Sequence, residues 1–126
     1  MARMGTIASR AEALLDTAVS ATTPVAGGDI CTATRLRLSD GRSALAKTRP
    51  RAPEDFFRRE ADGLNWLRET SGVPVPEVLG VSGDCLILSW IEPGRPSTEG
   101  AEAFAHALAT THAYGAEAFG ADRDGY

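Results

Sequence analysis

Asp40-Gly41 separates two short segments in which apolar and polar residues alternate, Ile30 to Leu38 before it and Ser43 to Lys47 after it. Asp-Gly tolerates the positive φ that a two-residue type I′ turn needs at both central positions, so the pattern predicts a β-hairpin closed by those two residues. With that turn, Leu38 faces Ser43, Leu36 faces Leu45 and Thr34 faces Lys47. Lys47 then shares the face of Leu36, Leu38 and Leu45, which is the one expected to be buried. An ammonium placed there needs an anion beside it.

Lys47 also stands out in composition. The 126 residues hold twelve arginines and a single lysine against 17 acidic residues, for a net charge of −4. Together with 21 alanines, this surplus suggests a coding bias. Under such a bias, a retained lysine marks a place where a planar guanidinium does not replace a compact ammonium. The anion offered by spacing is Glu60. Pro53 to about Glu69 reads as a helix, with Glu54 and Asp55 suited to its N-terminal end and Ser71-Gly72 and Pro74 stopping it. Phe57, Ala61, Leu64 and Leu67 form the apolar stripe, and Glu60 lies on it, three residues after Phe57 and four before Leu64. Arg58, Arg59, Asp62, Arg68 and Glu69 fall mostly elsewhere on the wheel. The plain alternative is a surface lysine and a helix-edge glutamate, a pair worth about 0–1 kcal/mol.

The remaining segments frame this pair. Thr6 to about Val19 carries Ile7, Ala11, Leu14, Leu15 and Ala18 at helical spacing, with Thr6 as N-cap. Thr22 to Val25 is extended and leads into Gly27-Gly28. Glu77 to Val81 reads as a short strand and Ser82-Gly83-Asp84 as a turn. The apolar run Cys85 to Trp90 fits a strand covered on both faces. Ile91 to Pro96 is irregular, and Thr98 to about Ala113 is an alanine-rich helix. The expected fold is α+β: an antiparallel sheet with one packed helix, flanked by an N-terminal helix and a C-terminal linker helix. The expected divisions are residues 1–20, 21–93 and 94–126.

Several functions are disfavoured by the same residues. The apolar run from Cys85 to Ile91 is far shorter than the ~20 residues of a membrane span. Glu12 and Asp16 break any leader-like stretch, so a cytoplasmic chain without membrane contact is expected. Arginines dispersed through an acidic chain do not form a nucleic-acid-binding stripe. Cys31 and Cys85 lack the spacing of a zinc site or a disulfide framework, which suits a reducing compartment.

A strand, a two-glycine loop, a hairpin, an inward lysine, a helix with an inward glutamate, two strands, a linker and a helix resemble the N-terminal lobe of the protein-kinase-like fold. More closely the chain resembles the fructosamine kinase (ketosamine-3-kinase) family. The resemblance is carried by Gly27-Gly28-Asp29-Ile30, Ala44 to Lys47, Phe56 to Leu64, Val75-Pro76, Leu86-Ile87-Leu88 into Trp90-Ile91, and Phe119-Gly120. It implies ATP with Mg2+ as cofactors and a ketosamine, small or carried on a glycated protein, as acceptor, with protein deglycation as the purpose. It further implies that Lys47 holds the α- and β-phosphates, that Glu60 fixes Lys47, and that Gly27 and Gly28 bring backbone amides to the nucleotide. Ser89 and Ile91 would offer backbone groups to the adenine edge, with Ile30 and Leu45 as apolar contacts.

The His-Gly-Asp catalytic loop and metal-binding Asp of that family do not occur in this sequence. His106 and His112 lack the following Asp, and Asp122-Arg123-Asp124 lacks the later elements. The expectation is therefore the ATP-side lobe of a kinase, with the catalytic Asp beyond Tyr126 and no turnover by these residues alone. A non-catalytic nucleotide-binding or interaction module, or a relative of the aminoglycoside and choline kinases, is the alternative. A homodimer, formed through apolar surface near Trp90 to Pro93 and the last helix or through a Cys31 disulfide, is a further expectation.

Overall fold

The computed structural model describes residues 6–121; Asp122-Arg123-Asp124 lies outside them. The first helix, α1, spans Ile7–Leu15, with the Thr6 hydroxyl accepting the Ser9 amide at 3.2 Å. It stops short of the expected Val19 because Asp16 adopts a left-handed backbone (φ 49°) and turns the chain, letting β1 (Val19–Val25) begin three residues before the expected extended segment. The Glu12 carboxylate accepts the Val19 amide at 2.8 Å and fixes this corner.

Strands β2 (Thr32–Leu38) and β3 (Ser43–Thr48) form the hairpin, but its loop is one residue longer than expected. The Gly41 amide donates to the Leu38 carbonyl at 3.0 Å, the Leu38 amide donates to Arg42 at 2.8 Å, and only Gly41 in this loop has positive φ (90°). This is a type I turn closed by a glycine bulge. Asp40 reinforces it by accepting the Arg42 amide and guanidinium, which hold its carboxyl below the usual range. The register shifts accordingly: Leu36 faces Ala44, Arg35 faces Leu45, and Lys47 faces Ala33 rather than Thr34. Because side chains alternate with period two, that single residue moves Lys47 off the Leu36 and Leu38 face and onto the opposite one.

After β3 come α2 (Phe56–Glu69), β4 (Val78–Val81), β5 (Cys85–Ser89) and α3 (Thr98–Ala113). Helix α2 starts at Phe56, three residues beyond Pro53, because Asp55 is left-handed (φ 61°) and the Phe56 amide is still turned back onto the Pro53 carbonyl. The five strands form an antiparallel sheet in the order β1-β2-β3-β5-β4. Strand β1 is one edge and carries Pro24 opposite Thr34.

The sheet is covered on both faces. Leu36, Leu38, Ala44, Ala46, Cys85 and Ile87 pack on Ala11 of α1, and the Arg10–Asp84 ion pair at 2.8 Å ties that helix to the β4–β5 turn. On the other face Leu86 and Leu88 meet Phe57 and Ala61 of α2. Phe57 is fully buried, a burial worth about 2–3 kcal/mol. Strand β5 thus serves both cores, as its unbroken apolar run implied.

Helix α3 has no buried residue, and Thr111 ties it to the segment after α2. The Thr111 hydroxyl accepts the Val73 amide at 2.9 Å beside Gly72, where an added Cβ would come within 2.6 Å of the Ala107 carbonyl and the Thr111 amide nitrogen. Gly72→Ala is therefore expected to lower stability by about 1–3 kcal/mol in chemical denaturation. A loss below 0.5 kcal/mol would show that α3 moves away freely.

Candidate functional site

Lys47 leaves β3 on the face of Leu45, Leu86 and Leu88, and Glu60 leaves α2 beside Phe57 and Ala61 on that same face. The two charges form a direct hydrogen-bonded ion pair between Nζ and Oε1. Their side chains are 27% and 31% exposed, so the pair is half-buried, with each charge compensated by the other. The spacing argument for Glu60 thus leads to the observed contact, although Lys47 reaches it from the opposite side of the sheet to the one expected.

The pair lies at one side of a cleft of about 550 Å³ whose lining includes Gly27, Gly28, Ile30, Leu45, Lys47 and Glu60. Gly27 and Gly28 both have positive φ (110° and 86°). No atom stands within 4 Å of where a Gly27 Cβ would be, so backbone conformation rather than crowding calls for glycine there. Asp29, Cys31, Ala33, Phe56 and Leu88 complete the lining. The observed hairpin register points to Ala33, opposite Lys47, and the pairing of β3 with β5 to Leu88, opposite Leu45. Ile30 lies in the loop before β2, largely exposed, and not in the strand where alternation had placed it.

Ser89 and Ile91 lie outside this lining. The Ser89 amide donates to the Glu77 carbonyl at 2.8 Å and its hydroxyl accepts the Glu77 amide at 2.8 Å, so both donor and side chain are used inside the sheet. Ile91 is exposed, and its backbone makes no hydrogen bond among the described residues. His106 and His112 are both exposed on α3. Cys85 is buried and its thiol pKa is pushed up by that burial, whereas Cys31 is half-buried at the cleft.

A larger hollow of about 680 Å³ lies between the outer side of α2 and residues 114–121, lined by Asp62, Trp66, Glu69 and Tyr114 among others. It contains no lysine, and none of the expected site residues reaches it. Chemistry, not size, sets the smaller cleft apart: it combines an ammonium, two glycines of positive φ and apolar walls. Among the described residues no three His, Cys, Asp or Glu side chains gather as a metal site would need, and no helix is long and apolar enough to cross a membrane.

The sequence profile of the fructosamine kinase family matches residues 4–126. The chain belongs to the fructosamine kinase family. Proteins named ketoamine kinase from Enterococcus faecium and Thermus thermophilus are 35% identical over 105 residues and 40% identical over 89. Those alignments take in 82% and 71% of this chain but 36% and 30% of the relatives, so the chain spans about a third of their length. A solved structure named as a fructosamine-3-kinase, from Thermobifida fusca, matches with a TM-score of 0.85 at 36% identity, over 96% of this chain and 43% of that one. Another, from Haemophilus somnus, matches at TM-score 0.70 and 19% identity over 83% and 37% of the two chains, and shows the shared fold alone. The antiparallel sheet with α2 packed on it is the kinase-like arrangement of this fructosamine kinase family member.

The ion pair has a measurable signature. In a denaturation cycle of Lys47→Met, Glu60→Gln and the double variant, a coupling of about 0.5–1 kcal/mol is expected, shrinking with added salt. A coupling of zero at low salt would mean the two charges do not act on each other in solution.

Proposed function

We propose that this kinase-family chain is an ATP-binding lobe whose whole protein phosphorylates ketosamines and so acts in protein deglycation. The observation that carries the reading is the Lys47–Glu60 pair facing the Gly27-Gly28 loop across an apolar cleft. Glu60 holds the lysine stem in place, and the ammonium presents its remaining donors to the α- and β-phosphates. The amides of the glycine loop add donors at close range, because no Cβ stands between them and the phosphates. Ile30, Leu45 and Leu88 give the base an apolar seat, and Ile91 offers backbone groups to its edge. Ser89 has already used its amide in the sheet.

The acceptor is inferred from the names of the relatives, ketoamine kinase and fructosamine-3-kinase. In the transfer, an acceptor hydroxyl oxygen bonds the γ-phosphorus as the bond to the β–γ bridging oxygen breaks. ADP leaves, and the hydroxyl proton passes to a base outside these residues. Mg2+, when bound, would neutralise charge developing on the transferred phosphoryl group. Its ligands, like the catalytic Asp, are assigned beyond Tyr126, so these 126 residues alone are expected not to turn over substrate.

Calorimetric titration with a non-hydrolysable ATP analogue tests the reading. Lys47→Met is expected to weaken binding by about 10- to 100-fold, and Lys47→Arg is not expected to restore it. Unchanged affinity in Lys47→Met would remove Lys47 from this role. Nucleotide binding without ketosamine phosphorylation by the full-length protein would favour a non-catalytic module or another acceptor.

A further inference from the structure

The chain leaving the cleft is tied down by one side chain. Beyond β5 it runs exposed from Ile91 to Ser97. Among the described residues, the backbone of this stretch makes no hydrogen bond until the Ser97 carbonyl accepts the Ala101 amide inside α3. Its upstream end is held by Arg35 of β2. The guanidinium lies 4.4 Å from the centroid of the Trp90 ring. Its Nη2 is 3.3 Å from Ser43 Oγ and 3.8 Å from Glu92 Oε2. Trp90 Nε1 donates to that same Oε2 at 2.9 Å. The backbone contributes one long bond, from the Trp90 amide to the Ser43 carbonyl at 3.4 Å.

The cluster sits beside the cleft. Arg35 faces Leu45 across the hairpin and stands two residues from Ala33, and both Leu45 and Ala33 line the cleft. A guanidinium can stack its plane on an indole while its edge donates to a carboxylate and a hydroxyl. Glu92, in turn, accepts from the indole and neutralises the cation. One residue thereby joins β2, β3 and the exit segment.

We propose that Arg35 is a positioning residue that clamps Trp90 and Glu92 and thereby fixes, just outside the cleft lining, the Ile91 backbone that the nucleotide reading assigns to the base edge. The inference rests on the nucleotide reading above. Without the clamp, the exit segment samples other positions, and the competent one becomes a fraction of the ensemble. Affinity falls by that fraction. The loss is confined to ligands that carry the base, because Lys47 and the glycine loop are untouched.

The chain has two tryptophans, so Trp66→Phe leaves Trp90 as the sole reporter. In that background, Arg35→Ala should shift Trp90 emission to the red and increase its quenching by acrylamide. In calorimetry it should weaken a non-hydrolysable ATP analogue by about three- to tenfold, with Arg35→Lys recovering little of the loss and inorganic triphosphate binding unchanged. Lys47→Met should instead weaken both ligands. Analogue affinity within twofold of the parent in Arg35→Ala, or an equal loss for triphosphate, would overturn the clamp while Lys47→Met still upheld the nucleotide reading. If Lys47→Met changed neither ligand, the nucleotide reading and the inference would fall together. Arg35 and Glu92 side chains are 39% and 74% exposed. Should Arg35→Ala fail to fold, Glu92→Ala applies the same two criteria from the more exposed partner.

Discussion

The loop from Ser39 to Gly41 sets which side of the sheet every residue of β3 meets. Its type I turn and glycine bulge place Ala44 and Ala46 toward α1, and Leu45 and Lys47 toward α2. Small residues on the first side let α1 lie close over the strands. On the second side, Lys47 meets Glu60, while Leu86 and Leu88 of the neighbouring β5 meet Phe57 and Ala61. A shift of one residue would turn Leu45 and the Lys47 ammonium toward Ala11 and the small Ala44 and Ala46 toward α2, so the turn geometry and the burial pattern enforce each other.

The Lys47–Glu60 pair adds little to stability, because it is partly wet and both side chains lose freedom in forming it. Its value is geometric. A lysine stem fixed by a carboxylate presents its remaining donors in one direction, whereas a free surface lysine presents them in many. The energy that holds α2 in place comes from Phe57 and Ala61, one turn and one residue away from Glu60, so apolar packing supplies the rigidity and the ion pair supplies the direction.

Much of this was legible in the amino-acid order, for reasons that differ by element. Helical stripes survive small errors in boundary, so α2, α3 and the inward position of Glu60 followed from spacing alone. The hairpin register did not, because Asp40-Gly41 suits both a two-residue turn and the three-residue loop that forms. Lys47 still reached its partner, since Leu45, two residues away, shares its face in either register. Arg35 was not legible for another reason: its stacking on Trp90 joins residues far apart in sequence that only the pairing of β3 with β5 brings together. The use of the Ser89 amide was equally unreadable, because it depends on how β4, with its irregular register near Val78, pairs with β5.

Pro24 bears on how this sheet ends. Strand β1 lies at the margin of the sheet, mostly exposed, and an open margin is a template on which a foreign strand can add. A proline there lacks the amide that such an addition would use, and the irregular register between Val19 and Ala21 bends the same strand out of line. The sheet is therefore capped against lengthening by strand addition along β1. Along that margin, what remains available for contact with other polypeptide lies on side-chain surfaces, where association depends on shape and is far more selective than backbone pairing.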